Sequence, residues 1–320
     1  YDGASSLAWK EIRGGYGMHC AFDPADETHM YTQHQHADST AVTTGKGPSG
    51  NWKWEAASSG LPSAADTDQT QGFTGDPFLA IHPADGKKLL IAARKVYRTI
   101  DGGKSWTPLG PAIDIESSSN EEVVQVAIDA VKGRYYAGTD RGNIYAARES
   151  NPTSWSQIYD AQPWPRPFAA LRVDPKDPEV IYASFGFGGP WSVARIRHTG
   201  GWPGTWTPED LTGDLPGNRR LELRGFVRGL VKDPSREALF VGTDKGVYQG
   251  RLRGTEWEWF PDNCCLPLTL VSDLEMHPSG GFLVAATFGR GAWKRPLVDF
   301  DLQPDRFDVP ARNDTLPSSA

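Results

Sequence analysis

Four groupings of side chains in this chain could do chemistry. His34-Gln35-His36-Ala37-Asp38 alternates two imidazoles with a nearby carboxylate. On a strand this spacing puts both rings on one face, the donor set of a metal site. A solvated hairpin end explains the same residues, and the balance falls on no metal. Cys264 and Cys265 are adjacent and could close a vicinal disulfide in an oxidising compartment. Two thiols, or a bridge from one of them to Cys20, stay open, and Cys20 is expected as a buried free thiol in mid-strand. Glycine-framed turns deliver cations: Gly138-Thr139-Asp140-Arg141-Gly142, Gly242-Thr243-Asp244-Lys245-Gly246 and Phe288-Gly289-Arg290-Gly291. Arginine can grip a carboxylate or sulfate with two parallel hydrogen bonds. The fourth grouping is Thr99-Ile100-Asp101-Gly102-Gly103-Lys104-Ser105-Trp106. Its glycines permit positive φ, and the Asp101 carboxylate can accept bonds from nearby N–H groups. Trp106 then starts a strand.

The elements that must position these groups repeat. An apolar strand ends at Phe22-Asp23-Pro24, Ile81-His82-Pro83, Ile128-Asp129-Ala130, Val173-Asp174-Pro175, Lys232-Asp233-Pro234 and Met276-His277-Pro278, with spacings of 59, 47, 45, 59 and 44 residues. A later strand opens on Trp9, Trp54, Trp106, Trp155, Trp206 and Trp257, spaced 45, 52, 49, 51 and 51. The glycine turns precede Ile144-Tyr145, Val247-Tyr248 and Ala292-Trp293, a hairpin signal between second and third strands. Each unit of about fifty residues reads as four short strands, a propeller blade.

Six units fit, so the fold class is all-β, a six-bladed β-propeller of four-stranded antiparallel blades over residues 1–297. The sixth unit, roughly 269–297, lacks its tryptophan strand. Leu7-Ala8-Trp9-Lys10-Glu11-Ile12 is an orphan tryptophan strand expected to complete it and to protect its edge. Residues 61–75 read as a long loop, and residues 298–320, with Pro304, Pro310 and Pro317, as a tail or linker. Tyr1 is a poor initiator, so a processed or longer chain is expected.

Composition agrees: 35 Gly, 25 Pro and 12 Trp in 320 residues suit short strands and turns, not long helices. A formal charge of −7 argues against a nucleic-acid surface. No apolar run approaches the roughly 18 residues of a membrane-spanning helix.

The Thr99–Trp106 stretch resembles the Asp-box, or BNR repeat, Ser/Thr-x-Asp-x-Gly-x-Ser/Thr-Trp, with Thr99, Asp101, Gly103, Ser105 and Trp106 all matching. With the repeats, the chain is similar to the sialidase-like superfamily, in particular to sortilin-like and xyloglucanase-like propellers. Photosystem assembly-factor propellers belong to the same broad set. In these proteins the box is structural, so the resemblance implies a fold more than a function. The sialidase Phe/Tyr-Arg-Ile-Pro start is absent, and Glu11-Ile12-Arg13-Gly14 is its nearest approach. The early Arg-Thr-Asp-Ile-Gly-Gly of xyloglucanase-like enzymes is also absent; Arg98-Thr99-Ile100-Asp101 is a shuffled near-miss.

The resemblance also implies where a ligand would sit. Turns between second and third strands share a face with the connections between blades, opposite the box. That rule gathers Arg94, Arg141, Lys245 and Arg290 with Phe288. The connections add Phe73, Trp164, Arg166, Arg219, Arg220 and Arg224, and the glycine-rich turn of blade four adds Phe185, Phe187 and Trp191. Packed aromatics and solvated turn cations account for the same residues. The expected role is non-catalytic recognition, outside the cytoplasm (extracellular or periplasmic), of an acidic glycan or a protein partner at the channel mouth. No cofactor is expected. The alternatives are a polysaccharide-active glycoside hydrolase and a structural subunit of a larger assembly.

Overall fold

Each innermost strand stops where a short polar side chain can turn the chain back on itself. Asp23 Oδ1 accepts from Ala25 N, Asp129 Oδ1 from Val131 and Lys132 N, and Asp174 Oδ1 from Lys176 and Asp177 N. His82 does the same through Nδ1, accepting from Ala84 N at 3.2 Å. These bonds satisfy amides that have left the ladder, so the residue type itself fixes the hairpin.

The computed structural model describes residues 13, 19–33, 37, 40–46, 51–63, 78–110, 121–161, 168–186, 191–212, 214–215, 219–220, 227, 229–234, 237–253, 256–263, 266–277 and 281–297. It is an all-β six-bladed propeller of antiparallel blades. Blade one comprises β1 (Cys20–Asp23), β2 (Asp26–Thr32), β3 (Ala41–Lys46) and β4 (Trp52–Ala56). Blade two comprises β5 (Phe78–His82), β6 (Asp85–Ala93), β7 (Lys95–Thr99) and β8 (Thr107–Gly110). Blade three comprises β9 (Val123–Asp129), β10 (Arg134–Thr139), β11 (Ile144–Arg148) and β12 (Asn151–Tyr159). Blade four comprises β13 (Phe168–Val173), β14 (Val180–Phe185), β15 (Val193–Thr199) and β16 (Thr205–Asp210). A two-residue hairpin, β17 (Asp214–Leu215) with β18 (Arg219–Arg220), follows it. Blade five comprises β19 (Gly229–Lys232), β20 (Ala238–Thr243), β21 (Gly246–Arg253) and β22 (Glu256–Pro261). Blade six shows β23 (Val271–Met276), β24 (Phe282–Thr287) and β25 (Gly291–Pro296). Its expected fourth strand, residues 7–12, lies outside the described residues.

The core lies between blades. One buried apolar cluster fills each junction from blade one–two to blade five–six. The second strands β10, β14 and β20 are buried at every position because a neighbouring sheet covers each of their faces. They therefore read as continuous apolar runs rather than alternating ones. Among the described residues the junction of blade six with blade one carries no such cluster.

Tryptophans add polar links across these apolar seams. Trp106 Nε1 donates to Ala57 O of the preceding blade at 2.7 Å, and Trp155 Nε1 to Leu109 O at 2.9 Å. In blade five the indole that makes this link is Trp259, to Leu211 O at 2.7 Å, two residues beyond the expected Trp257. Both indoles are buried, but Trp259 has the register that faces the carbonyl. Trp206 instead bonds Pro203 O within its own turn, which the inserted residues 200–204 enlarge.

The Thr99–Trp106 turn is held as its residue types suggest. Asp101 Oδ1 accepts from Thr99 Oγ1 at 2.7 Å and Ser105 N at 3.0 Å, and Oδ2 from Ser105 Oγ at 2.5 Å. Thr99 Oγ1 accepts from Gly103 N at 3.0 Å. Gly103 has φ +85°, and a Cβ there would stand 2.7 Å from Ala57 Cβ. The turn thus docks directly on blade one.

Ser105, then Thr99, hold the Asp101 carboxyl down to about 2. A depressed folded pKa means that its stabilisation is complete above the ordinary value of 3.8 and fades as pH falls toward 2. Asp101→Ala is predicted to lower stability at neutral pH by about 1–3 kcal/mol, through donors left without an acceptor. Denaturant unfolding checks this, and in Asp101→Asn the loss of stability below pH 4 should be shallower than in the parent.

Candidate functional site

Three second-to-third-strand turns are built alike. Threonine hydroxyls bond within each turn: Thr243 Oγ1 donates to Gly246 O at 2.9 Å and Thr287 Oγ1 to Gly291 O at 2.5 Å. Asn143 N donates to Thr139 Oγ1 at 3.1 Å, and Thr139 Oγ1 donates to the buried Glu121 at 2.5 Å. The Thr side chains are therefore occupied inward. The cations that follow, Arg141, Lys245 and Arg290, stand at the equivalent outer positions, and all three turns share one face by the strand order. Lys245 and Arg290 are exposed, Arg141 partly so. No carboxylate among the described residues lies within 4.0 Å of the Lys245 or Arg290 side-chain nitrogens. Phe288, beside Arg290, is 79% exposed.

Arg94, the equivalent cation of blade two, has a different role. It adopts φ 63°, in the left-handed region that L side chains rarely enter. Its carbonyl accepts from Val123 N at 3.1 Å, and its guanidinium pairs with Glu122 at 3.2 Å. Burial raises the Glu122 carboxyl and Asp140 adds to the rise, while Arg94 opposes it. Arg94 therefore joins blade two to blade three.

The axial channel holds a charged group that the sequence did not single out. Arg172 of β13 reaches Glu275 Oε1 at 3.3 Å and Asp273 Oδ1 at 3.9 Å, both on β23. Its guanidinium carbon lies 5.6 Å from the Phe78 ring centroid, on β5. His19 packs edge-on against Phe78, with centroids 4.6 Å apart. Blades one, two, four and six thus meet on the axis. The two carboxylates are partly exposed, Asp273 at 41% and Glu275 at 67% of their side chains. Burial raises both carboxyls, and Arg172 opposes the rise. Burial, then Arg172, lowers His19 to about 4, which keeps it neutral at pH 7.

Cys20 corrects an expectation. It opens β1 and its residue is exposed rather than buried in mid-strand. Enclosure in the bore, then Asp273 and Glu275, push its thiol pKa up, away from the reactive thiolate. Phe185 is corrected too: it is buried at the end of β14 and packs on Phe168 at 4.8 Å between centroids. Trp191 leans on the same cluster. The expected Phe73, Trp164, Arg166, Phe187, Arg224, Cys264, Cys265, His34, His36 and Asp38 lie outside the described residues. Arg219 and Arg220 form β18. Among the described residues no group of three or more His, Cys, Asp or Glu is placed to hold a metal ion, and no helix is long and apolar enough to cross a membrane.

On the opposite face a second cluster straps blade three to blade four. Glu179 accepts from Arg134 at 2.7 Å and Lys132 at 3.1 Å and bonds His198 Nδ1 at 2.6 Å. Arg134, then His198 and Lys132, hold the Glu179 carboxyl down to about 2. Arg134 also lies over Trp202 and Trp206, 5.7 and 5.9 Å from their centroids.

No family model matches the chain, and no curated protein matches it. Solved propellers do match in shape. The GH74 xyloglucanase from Xanthomonas campestris aligns with TM-score 0.59 and 18% identity, over 87% of this chain and 43% of that one. A GH74 enzyme from Niastella koreensis aligns with TM-score 0.53 and 15% identity, over 86% and 42%. The propeller domain of Myceliophteria thermophila Cps50 (Swd1) aligns with TM-score 0.55 and 10% identity, over 88% and 96%. The chain thus spans less than half the length of either GH74 protein. At these identities the likeness is one of fold.

The Arg172 contacts predict a pH signature. With Arg172→Met, Asp273 and Glu275 lose their cation and resist ionisation further. Carboxyls whose folded pKa is raised cost stability above that pKa and give it back as protons bind. The variant should have a lower unfolding temperature than the parent at pH 7, and the gap should narrow at pH 5. A constant gap would mean that the three side chains do not act as one charged group.

Proposed function

We propose that this propeller is a non-catalytic recognition module that works outside the cytoplasm and holds an anionic ligand at the channel mouth. The observation that carries this reading is the repeated delivery of a cation, exposed at Lys245 and Arg290 and half-exposed at Arg141, to one face of a chain with a net charge of −7. Like charges gathered at one mouth repel, and water screens this only in part. An anion relieves that repulsion; a neutral ligand does not. An acidic glycan and an acidic loop of a protein partner both meet this requirement. Phe288 offers an aromatic surface beside the cations. Trp164, Arg166 and Arg224, which the sequence assigns to connections between blades, lie outside the described residues. Asp140 and Asp244 sit next to Arg141 and Lys245 in sequence and would offset part of the charge.

A hydrolase reading draws on the shape shared with the GH74 proteins and on the paired carboxyls Asp273 and Glu275. Glycoside hydrolysis needs two carboxyl groups on opposite sides of the bond to be cut. Asp273 and Glu275 are two residues apart on β23, on one side of that strand, and both face Arg172. That arrangement supports an internal charge clamp over a cleft.

The test is binding to polygalacturonate and to an acidic peptide, by the parent chain and by the Arg141→Ala/Arg290→Ala double variant. Loss of two charge-assisted contacts predicts an affinity lower by roughly tenfold or more. The unfolding midpoint should stay unchanged, since both side chains point outward. A folded double variant that binds as well as the parent would place the ligand elsewhere.

A further inference from the structure

On the same face, we propose that the corner where blades five and six meet docks a protein partner through a short acidic segment that carries an apolar anchor. This rests on the reading of that face as a recognition surface and narrows it to one kind of partner. Leu268 and Phe288 are 81% and 79% exposed, the highest values among the large apolar residues described. A single exposed apolar residue needs no explanation, but two on neighbouring segments of one corner do.

Hydrogen bonds bring them together. Phe288 N donates to Leu270 O at 2.8 Å, and Thr269 Oγ1 donates to Phe288 O at 3.1 Å. The connection carrying Leu268 is tied at its other end to the blade-five turn. Asn263 Nδ2 donates to Lys245 O at 3.2 Å, and Asn263 Oδ1 accepts from Val247 N at 2.7 Å. Leu266 N then donates to Asn263 O at 3.0 Å. One bonded path therefore runs from Lys245 past Leu268 to Phe288 and Arg290.

The surface is set before any partner arrives. Arg290 lies between Gly289 and Gly291 at φ +76° and +74°, and its carbonyl accepts from Trp293 Nε1 at 2.9 Å. A fixed backbone reduces the ordering cost of binding. Two exposed apolar side chains beside two cations with no carboxylate partner among the described residues define a complementary shape: acidic groups outside, an apolar side chain between. A polyanionic glycan supplies the charge and one face to stack on Phe288, but nothing that buries a branched Leu268. A peptide supplies both.

The test uses the full chain and fluorescence anisotropy with three probes. They are a labelled acidic peptide with central Phe and Leu, the same peptide with Ser at both positions, and labelled polygalacturonate. Burying the anchor predicts that the first peptide binds roughly tenfold or more tightly than the second. Leu268→Ser, at an exposed position with no part in glycan stacking, should weaken that preference and leave polygalacturonate binding unchanged, with the same unfolding midpoint. Lys245→Ala/Arg290→Ala should weaken both peptides. If the two peptides bind alike, the docking proposal fails while anion recognition stands. If polygalacturonate alone binds, the face reads glycans and the proposal again fails. Binding of none of the three overturns both readings.

Discussion

Blades two to five each have two apolar faces, and neither can be left to water. Stacking sheet on sheet around an axis is what answers that constraint. Second strands such as Val180–Phe185 are buried along their whole length only because blades stand on both sides. A fully buried Val, Leu, Ile or Phe side chain contributes about 1.5–3 kcal/mol. Net stabilities are about 5–15 kcal/mol, so no single junction is dispensable. Indole N–H groups cross these seams to carbonyls of the preceding blade, and Gly103 lets the two blades touch at backbone distance. Packing and polar satisfaction therefore act on the same surfaces.

The same stacking separates two kinds of charge. Inside the bore, Arg172 pairs with both Asp273 and Glu275 and links blade four to blade six. At the rim, cations are carried by turns held by threonine hydroxyl bonds and by bonds to the connections between blades. Charges in the bore are committed to partners in the fold, whereas among the described residues Lys245 and Arg290 have no carboxylate partner. Leu268 and Phe288, at the blade five–six corner, are likewise left exposed.

Much of this was legible in the residues because the signals are local. Asp and His at the ends of innermost strands are turn-forming side chains, and all six marked positions fall where the innermost strands end. The Asp101 turn needed only residues within four positions of the carboxylate. Features that depend on ring closure were not legible. Arg172 and Glu275 are 103 residues apart and meet only across the axis. The available hint was the charge at alternate positions in Val-Ser-Asp-Leu-Glu-Met, unusual for an innermost strand. The choice of Trp259 over Trp257 turns on which register faces Leu211, information held by another blade. Phe185 was read as a turn residue because glycines follow it, although the strand extends to include it. A mid-strand position predicts burial for Cys20, but it stands at the start of β1 and is exposed.

Thr139, Thr243 and Thr287 place the bonds that close each rim turn on a hydroxyl pointing inward. The next side chains contribute little to that closure. Selection can then act on shape and charge at the rim almost independently of selection on folding. A gene duplicated in such a lineage could change its ligand by substitution at a few turn positions without first acquiring compensating changes in the core. The frame is inherited as a unit, and the rim is the part left open to innovation.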